Sequence, residues 1–244
     1  MEISQERSRL ILSDGEILPY KVERRGVKHP RLELTTEELL VILPKRWRDE
    51  TSLLEEKRDW IYKNHARIKG TIDDMKCRLG GTESLPILGD FFNVRKSNSL
   101  VIDYGGKMIE CDLDDPYQLR RLGTALKQVL IQEIRKAADF YSKKFDVNFK
   151  KISVKKQRSK WGSCSFRGNI NFNIRLVLLP KDLVWYLVCH EVAHLREKSH
   201  KKTFWKLVGS EFKNYKEMEK KLFDYWLFAR ECYRSTFTYG KVIF

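Results

Sequence analysis

Residues 189–200 read Cys189-His190-Glu191-Val192-Ala193-His194-Leu195-Arg196-Glu197-Lys198-Ser199-His200. The reading of the whole chain turns on this stretch, which holds three of the five histidines. On a helix, residues four apart project from one face, one turn from each other. His190 and His194 so placed can grip one zinc ion, and Glu191 between them can act as general base toward a water that the metal activates. The context is helical. Pro180 and Asp182 mark a start, Leu183, Val184, Leu187 and Val188 make the first turns apolar, and the pattern predicts a helix over residues 181–196. A buried helix that carries His, Glu and His needs a purpose, because unpaired polar groups are costly to bury. The plain alternatives are surface histidines beside a salt-bridged glutamate, and a zinc site without catalysis.

A catalytic zinc site keeps three protein ligands and one open position. His200 is the best third ligand, since Arg196–Ser199 can turn the chain back toward the metal; Glu197 and Glu211 are the oxygen-bearing rivals. The six-residue spacing from His194 matches that of the metzincins. Their glycine position is occupied by Glu197, however, and Met218 lies in a helical pattern rather than a turn, so metzincin membership is rejected.

Outward from the motif, the pattern is α+β. Residues 169–178 alternate as a strand that Pro180 stops, and residues 151–156 form another. Asp115-Pro116 opens a long amphipathic helix over residues 117–145. Helices are also expected over residues 202–212 and 216–230. Residues 1–115 read as mostly short strands with one helix near residues 48–69. The charge divides in the same place. Residues 1–115 carry 20 basic and 22 acidic side chains, whereas residues 116–244 carry 28 and 11. Nearly neutral and strongly basic parts point to two domains, a β-rich N-terminal region over 1–115 and a metal-dependent catalytic domain over 116–244.

The five cysteines are scattered and form no CxxC pair, which argues against a disulfide framework and a cysteine zinc site. Met1–Leu12 lacks the apolar core of a signal peptide, and no apolar run approaches the ~20 residues that span a bilayer. A soluble cytoplasmic protein with no membrane partner is the expectation.

Several separated motifs resemble one family. Arg158-Ser159-Lys160-Trp161-Gly162-Ser163-Cys164-Ser165 is followed by Gly168, Ile170, Asn173, Leu176 and Pro180, then by His190-Glu191-Val192-Ala193-His194-Leu195, His200 and Phe204-Trp205. In order and spacing these resemble the YgjP-like metallopeptidase domain, which is related to the SprT-like zincins. The resemblance implies a zincin-like catalytic domain with a long helix, a small sheet and the HExxH helix. It also implies one zinc ion held by His190, His194 and His200, with Glu191 as catalytic base. The strand over 169–178 would form a wall of the cleft and pair with an extended peptide, with Trp161, Ser163, Asn173 and Trp205 near substrate.

The leading expectation is therefore zinc-dependent hydrolysis of peptide or unfolded protein, with Arg158 or a tyrosine stabilising the oxyanion. Two other readings rest on the basic half. One is a metal-dependent nucleoside triphosphate pyrophosphatase or phosphohydrolase. The other is a SprT-like protease that docks on nucleic acid through its lysines and arginines.

Overall fold

The computed structural model describes residues 8–35, 37–78, 84–157 and 160–234. It is a mixed α+β protein, and its described residues form six α-helices, one 3-10 helix and eleven strands in three small sheets. Two compact units divide the chain, residues 1–75 and 76–244.

In the first unit, β1 (Ser8–Ile11), β2 (Ile17–Arg25), β3 (Arg31–Leu34) and β4 (Leu39–Pro44) form a sheet of order β1-β2-β4-β3. Leu39, Val41 and Leu43, two apart along β4, are fully buried. The single helix expected near residues 48–69 is two. Asp49 caps α1 (Glu50–Glu56) by accepting the Ser52 N–H, and α2 (Arg58–Arg78) follows after Lys57. His65 on α2 is buried 3.7 Å from the Glu16 carboxylate, which also pairs with Lys69 at 2.7 Å. This histidine ties α2 to the β1–β2 hairpin.

The second unit opens with β5 (Ser84–Ile87), β6 (Asp90–Arg95), β7 (Val101–Asp103) and β8 (Met108–Glu110), in order β5-β6-β8-β7. This repeats the pattern of the first sheet: antiparallel, parallel, antiparallel. The sequence shows no matching repeat. Strand order depends on apolar alternation and turn placement, which unrelated residues satisfy equally well.

The second sheet packs with the helical part of the same unit. The Leu88 N–H donates to the Val177 carbonyl at 2.7 Å. Gln118 accepts from the Asp112 N–H at 3.0 Å and donates to the Ser97 carbonyl at 3.3 Å. The division expected near residue 115 thus falls inside a compact unit. Charge changes there, but packing continues across it.

Pro116 begins α3 (Pro116–Phe145), where a missing N–H costs nothing, and the Asp115 carboxylate caps it. Leu122, Leu126, Leu130, Ile134 and Ala137 make its buried stripe. That stripe packs on α4 (Lys181–Arg196), whose Val184, Val188, Val192 and Ala193 are wholly enclosed. Trp185 of α4 donates to Glu133 at 2.7 Å, and Arg196 donates to the Phe145 carbonyl at 2.9 Å, satisfying the end of α3.

The third sheet contains β9 (Lys151–Lys155), β10 (Gly162–Cys164) and β11 (Asn169–Asn173) in the order β10-β11-β9. The strand expected over 169–178 is cut short. The Asn173 carboxamide accepts the Arg175 N–H at 3.2 Å and turns the chain into a 3-10 helix, Ile174–Leu178. Both sides of β11 are occupied, so it cannot be the strand that pairs with a peptide. The third sheet's edge beside α4 is β10. Helices α5 (Lys202–Glu211) and α6 (Tyr215–Arg234) complete the described chain. No helix among the described residues is long and apolar enough to cross a membrane.

Candidate metal centre

His190 and His194 lie one turn apart on α4, and the chain leaves that helix at Glu197. The Glu197 carboxylate shapes the return. It accepts from Thr203 Oγ1 at 2.8 Å and from Ser199 Oγ at 3.1 Å, and these hydrogen bonds hold it below the usual carboxylate range. His200 is thereby brought back over α4. Its Nε2 stands 3.0 Å from Nε2 of His190 and 3.2 Å from Nε2 of His194. His194 Nδ1 lies 3.0 Å from the Glu197 carbonyl; a proton donated there leaves Nε2 bare.

The three histidines offer nitrogens that lie within 4.8 Å of one another. A tetrahedral ion with metal–nitrogen bonds of ~2.0–2.1 Å sets its ligands about 3.3 Å apart, close to the two separations above. The rival oxygen ligands stand elsewhere. Glu197 is engaged in its own loop, and Glu211 pairs with Lys144 at 2.7 Å. Burial lowers the pKa of His194 to about 4, against the opposing pull of the Glu197 carbonyl, and burial lowers His200 as well. Both rings are neutral at pH 7, the form that binds a metal.

Aromatic residues hold the triad. Phe204 is fully buried, with its ring centroid 4.9, 4.5 and 4.8 Å from the rings of His190, His194 and His200. Trp205, expected near substrate, stacks between His200 at 5.7 Å and Tyr215 at 4.9 Å.

Glu191 is 5% exposed. Its Oε2 is buried without a hydrogen-bond partner. Burial raises its pKa to about 7, with His190 and Lys160 pulling the other way. Orphaned polar atoms of this kind are rare, and each costs about 1–3 kcal/mol. A water activated by such a metal would give this oxygen a role, so the residues present fit such a centre.

Strand β10 lies against this carboxylate. A Cβ built on Gly162 would sit 2.6 Å from Glu191 Oε1, so Gly162 faces Glu191. Alternation puts Cys164 on the same face, and Trp161 and Ser163 on the other. Trp161 is anchored internally: its indole N–H donates to the Leu222 carbonyl at 2.9 Å, and its ring meets Trp226 edge-on at 5.0 Å. Asn173 is fully buried and donates to the carbonyls of Gln157 at 2.9 Å and Lys160 at 2.8 Å. It fixes the approach to β10 and has no surface to offer a substrate. Arg158 lies outside the described residues.

Sequence reasoning missed Glu219 on α6. Its Oε1 accepts from the Tyr186 hydroxyl at 2.5 Å and lies 3.5 Å from His190 Nδ1. Burial would raise its pKa, yet it falls, because His190 and Tyr186 favour the carboxylate. A metal-binding histidine commonly gives its second N–H to a carboxylate, which fixes the ring and raises its basicity. Glu219→Ala is therefore expected to weaken metal binding about 10–100-fold. Competition with a chromophoric chelator measures this, and unchanged affinity would remove Glu219 from the centre. No spacing in the sequence marks Glu219, because it joins through tertiary packing alone.

The chain is similar to the crystal structure of the metallopeptidase zymogen of Pyrococcus abyssi abylysin, with 20% identity, a TM-score of 0.35 and coverage of 36% of this chain and 90% of that one. It is also similar to the metallopeptidase zymogen of Methanocaldococcus jannaschii jannalysin, with 25% identity, a TM-score of 0.34 and coverage of 37% and 93%. A search of the curated proteins finds no match. The family model described as YgjP-like, metallopeptidase domain matches residues 28–225, from the first sheet through the histidine triad into α6, and the chain belongs to that family.

Proposed function

We propose that this protein is a zinc-dependent peptidase in which His190, His194 and His200 hold one zinc ion and Glu191 is the general base. The observation that carries this reading is the convergence of the three histidines beside a buried carboxylate oxygen with no partner. Zinc, when bound, supplies a Lewis acid that polarises a carbonyl and makes water acidic near neutral pH. Glu191 is suited to take a proton from that water and pass it to the leaving amine. A pKa of about 7 favours neither protonation state strongly.

The substrate would lie on β10. Ser163 is registered opposite Asn171. On either side, the Asn173 N–H donates to the Trp161 carbonyl at 2.8 Å and the Ser165 N–H to the Asn169 carbonyl at 2.9 Å. By antiparallel alternation, the N–H and C=O groups of Gly162 and Cys164 point away from β11. Among the described residues no strand pairs with that edge. An extended peptide that adds there brings its backbone alongside Glu191.

Purified protein is expected to carry one zinc per chain and to cleave a denatured protein. Chelation should stop the reaction and zinc should restore it. Hydrolysis of nucleoside triphosphates with no peptide cleavage would overturn the proposal. His200→Ala is expected to lower zinc content, and full zinc occupancy in that variant would take His200 out of the ligand set.

A further inference from the structure

The edge strand beside Glu191 is bracketed by features that the peptidase reading leaves unused. Phe166, in the turn that follows β10, is 89% exposed, the most exposed of the large hydrophobic side chains among the described residues. Gly168 of that turn lies against Leu195 of α4, which places the turn at the end of the helix that carries His190 and His194. The Lys198 ammonium stands 5.9 Å from the Phe166 ring centroid, on the loop that delivers His200. At the other end of β10, the Lys160 carbonyl is held by Asn173 and the Lys160 side chain is exposed. Among the described residues, neither lysine has a carboxylate within ion-pair distance. The charge of Lys160 is felt at Glu191, and that of Lys198 at Cys164 and His194. One unpaired cation therefore faces each end of the strand, and an uncovered aromatic ring sits at one of them.

We infer that this cleft selects peptides with acidic side chains on both sides of the bond, and with an apolar side chain placed on Phe166 at the Lys198 end. The inference rests on the peptidase reading and on β10 as the docking edge. A peptide is favoured over another polyanion because the outward N–H and C=O groups of Gly162 and Cys164 match an extended backbone, which nucleic acid cannot supply. Each lysine contributes modestly, because both are exposed and screened by salt. Together they direct choice among substrates more than overall affinity. Two cations of the basic surplus of residues 116–244 would then serve substrate choice.

The test separates binding from turnover. Zinc-loaded Glu191→Gln protein is titrated by fluorescence anisotropy with two labelled peptides of one apolar core, flanked by glutamates in one and by lysines in the other. The glutamate-flanked peptide should bind at least ~10-fold tighter at low salt, with the gap closing as salt rises. Lys198→Glu should narrow that gap, and Phe166→Ala should weaken both peptides alike. Equal binding of the two peptides would overturn the inference and leave the peptidase reading intact. So would displacement of the acidic peptide by a single-stranded oligonucleotide that binds more tightly than it does. Selective binding combined with no cleavage of either peptide by the wild-type protein would instead overturn the peptidase reading.

Discussion

Glu191→Gln is expected to keep its zinc and to lose about 10²–10⁴-fold in peptide hydrolysis, the range a positioned general base supplies. The same substitution should stabilise the metal-free protein, but only above the pKa of the unfolded chain's carboxyl. Burial raises its pKa from 4.5 to about 7 in the folded state. Below pH 4.5 the group is protonated in folded and unfolded chains alike, and it costs nothing. As pH rises from 4.5 to about 7 the unfolded chain ionises while the folded one stays protonated, and stability falls by a limiting value of about 3 kcal/mol at 1.36 kcal/mol per unit, reached once the folded carboxyl also ionises. Glutamine has the same shape and no charge, so it escapes this loss. Denaturant midpoints in the presence of a chelator should coincide for wild type and variant at pH 4 and separate at pH 8.5, with the variant the more stable. An active Glu191→Gln protein would end the proposed mechanism. A stability gap of equal size at both pH values would show that burial of this carboxylate is not its source.

The proposed ligand set is legible in the sequence because it is local. His190 and His194 need only a helix, and the helix needs only the apolar run that precedes them. His200 follows within one loop, and Glu197, a rival ligand by its spacing, proves to be the residue that shapes that loop. The supports of the site are not legible, because they arrive from far along the chain. Glu219 reaches His190 from α6, and Asn173 holds the entry to β10 by hydrogen bonds to carbonyls more than ten residues away. Alternation in residues 169–178 reads as one long strand, since a 3-10 helix also buries Ile174, Leu176 and Leu178; only the Asn173 cap distinguishes the two. The family resemblance, laid on that reading, points to β11 as the substrate wall, when the strand with free backbone groups is its short neighbour. A three-residue strand that contains glycine leaves almost no periodic signal.

That glycine carries the second large prediction. Gly162→Ala is expected to lower hydrolysis by about 10²-fold while zinc content and stability hold. The added methyl carbon would lie 2.6 Å from Oε1, 2.9 Å from Cγ and 3.0 Å from Cδ of Glu191, and real atoms do not approach so closely. Something must shift. The far end of a flexible side chain usually gives way at little cost, and here that end is the proposed base. With Glu191 only 5% exposed, the carboxylate has little free space, so it moves off the position from which it would reach water. Displacement of about 1 Å at a reacting group costs about 10²-fold in rate. Fold stability should move the other way or not at all, because alanine suits a strand better than glycine and restricts the unfolded chain. Gly162→Val adds two further carbons in the same direction and should cost more activity than alanine. The graded loss, with zinc retained, separates displacement of the base from loss of the metal. A Gly162→Ala protein with wild-type turnover would show that Glu191 does not work from the place where β10 holds it.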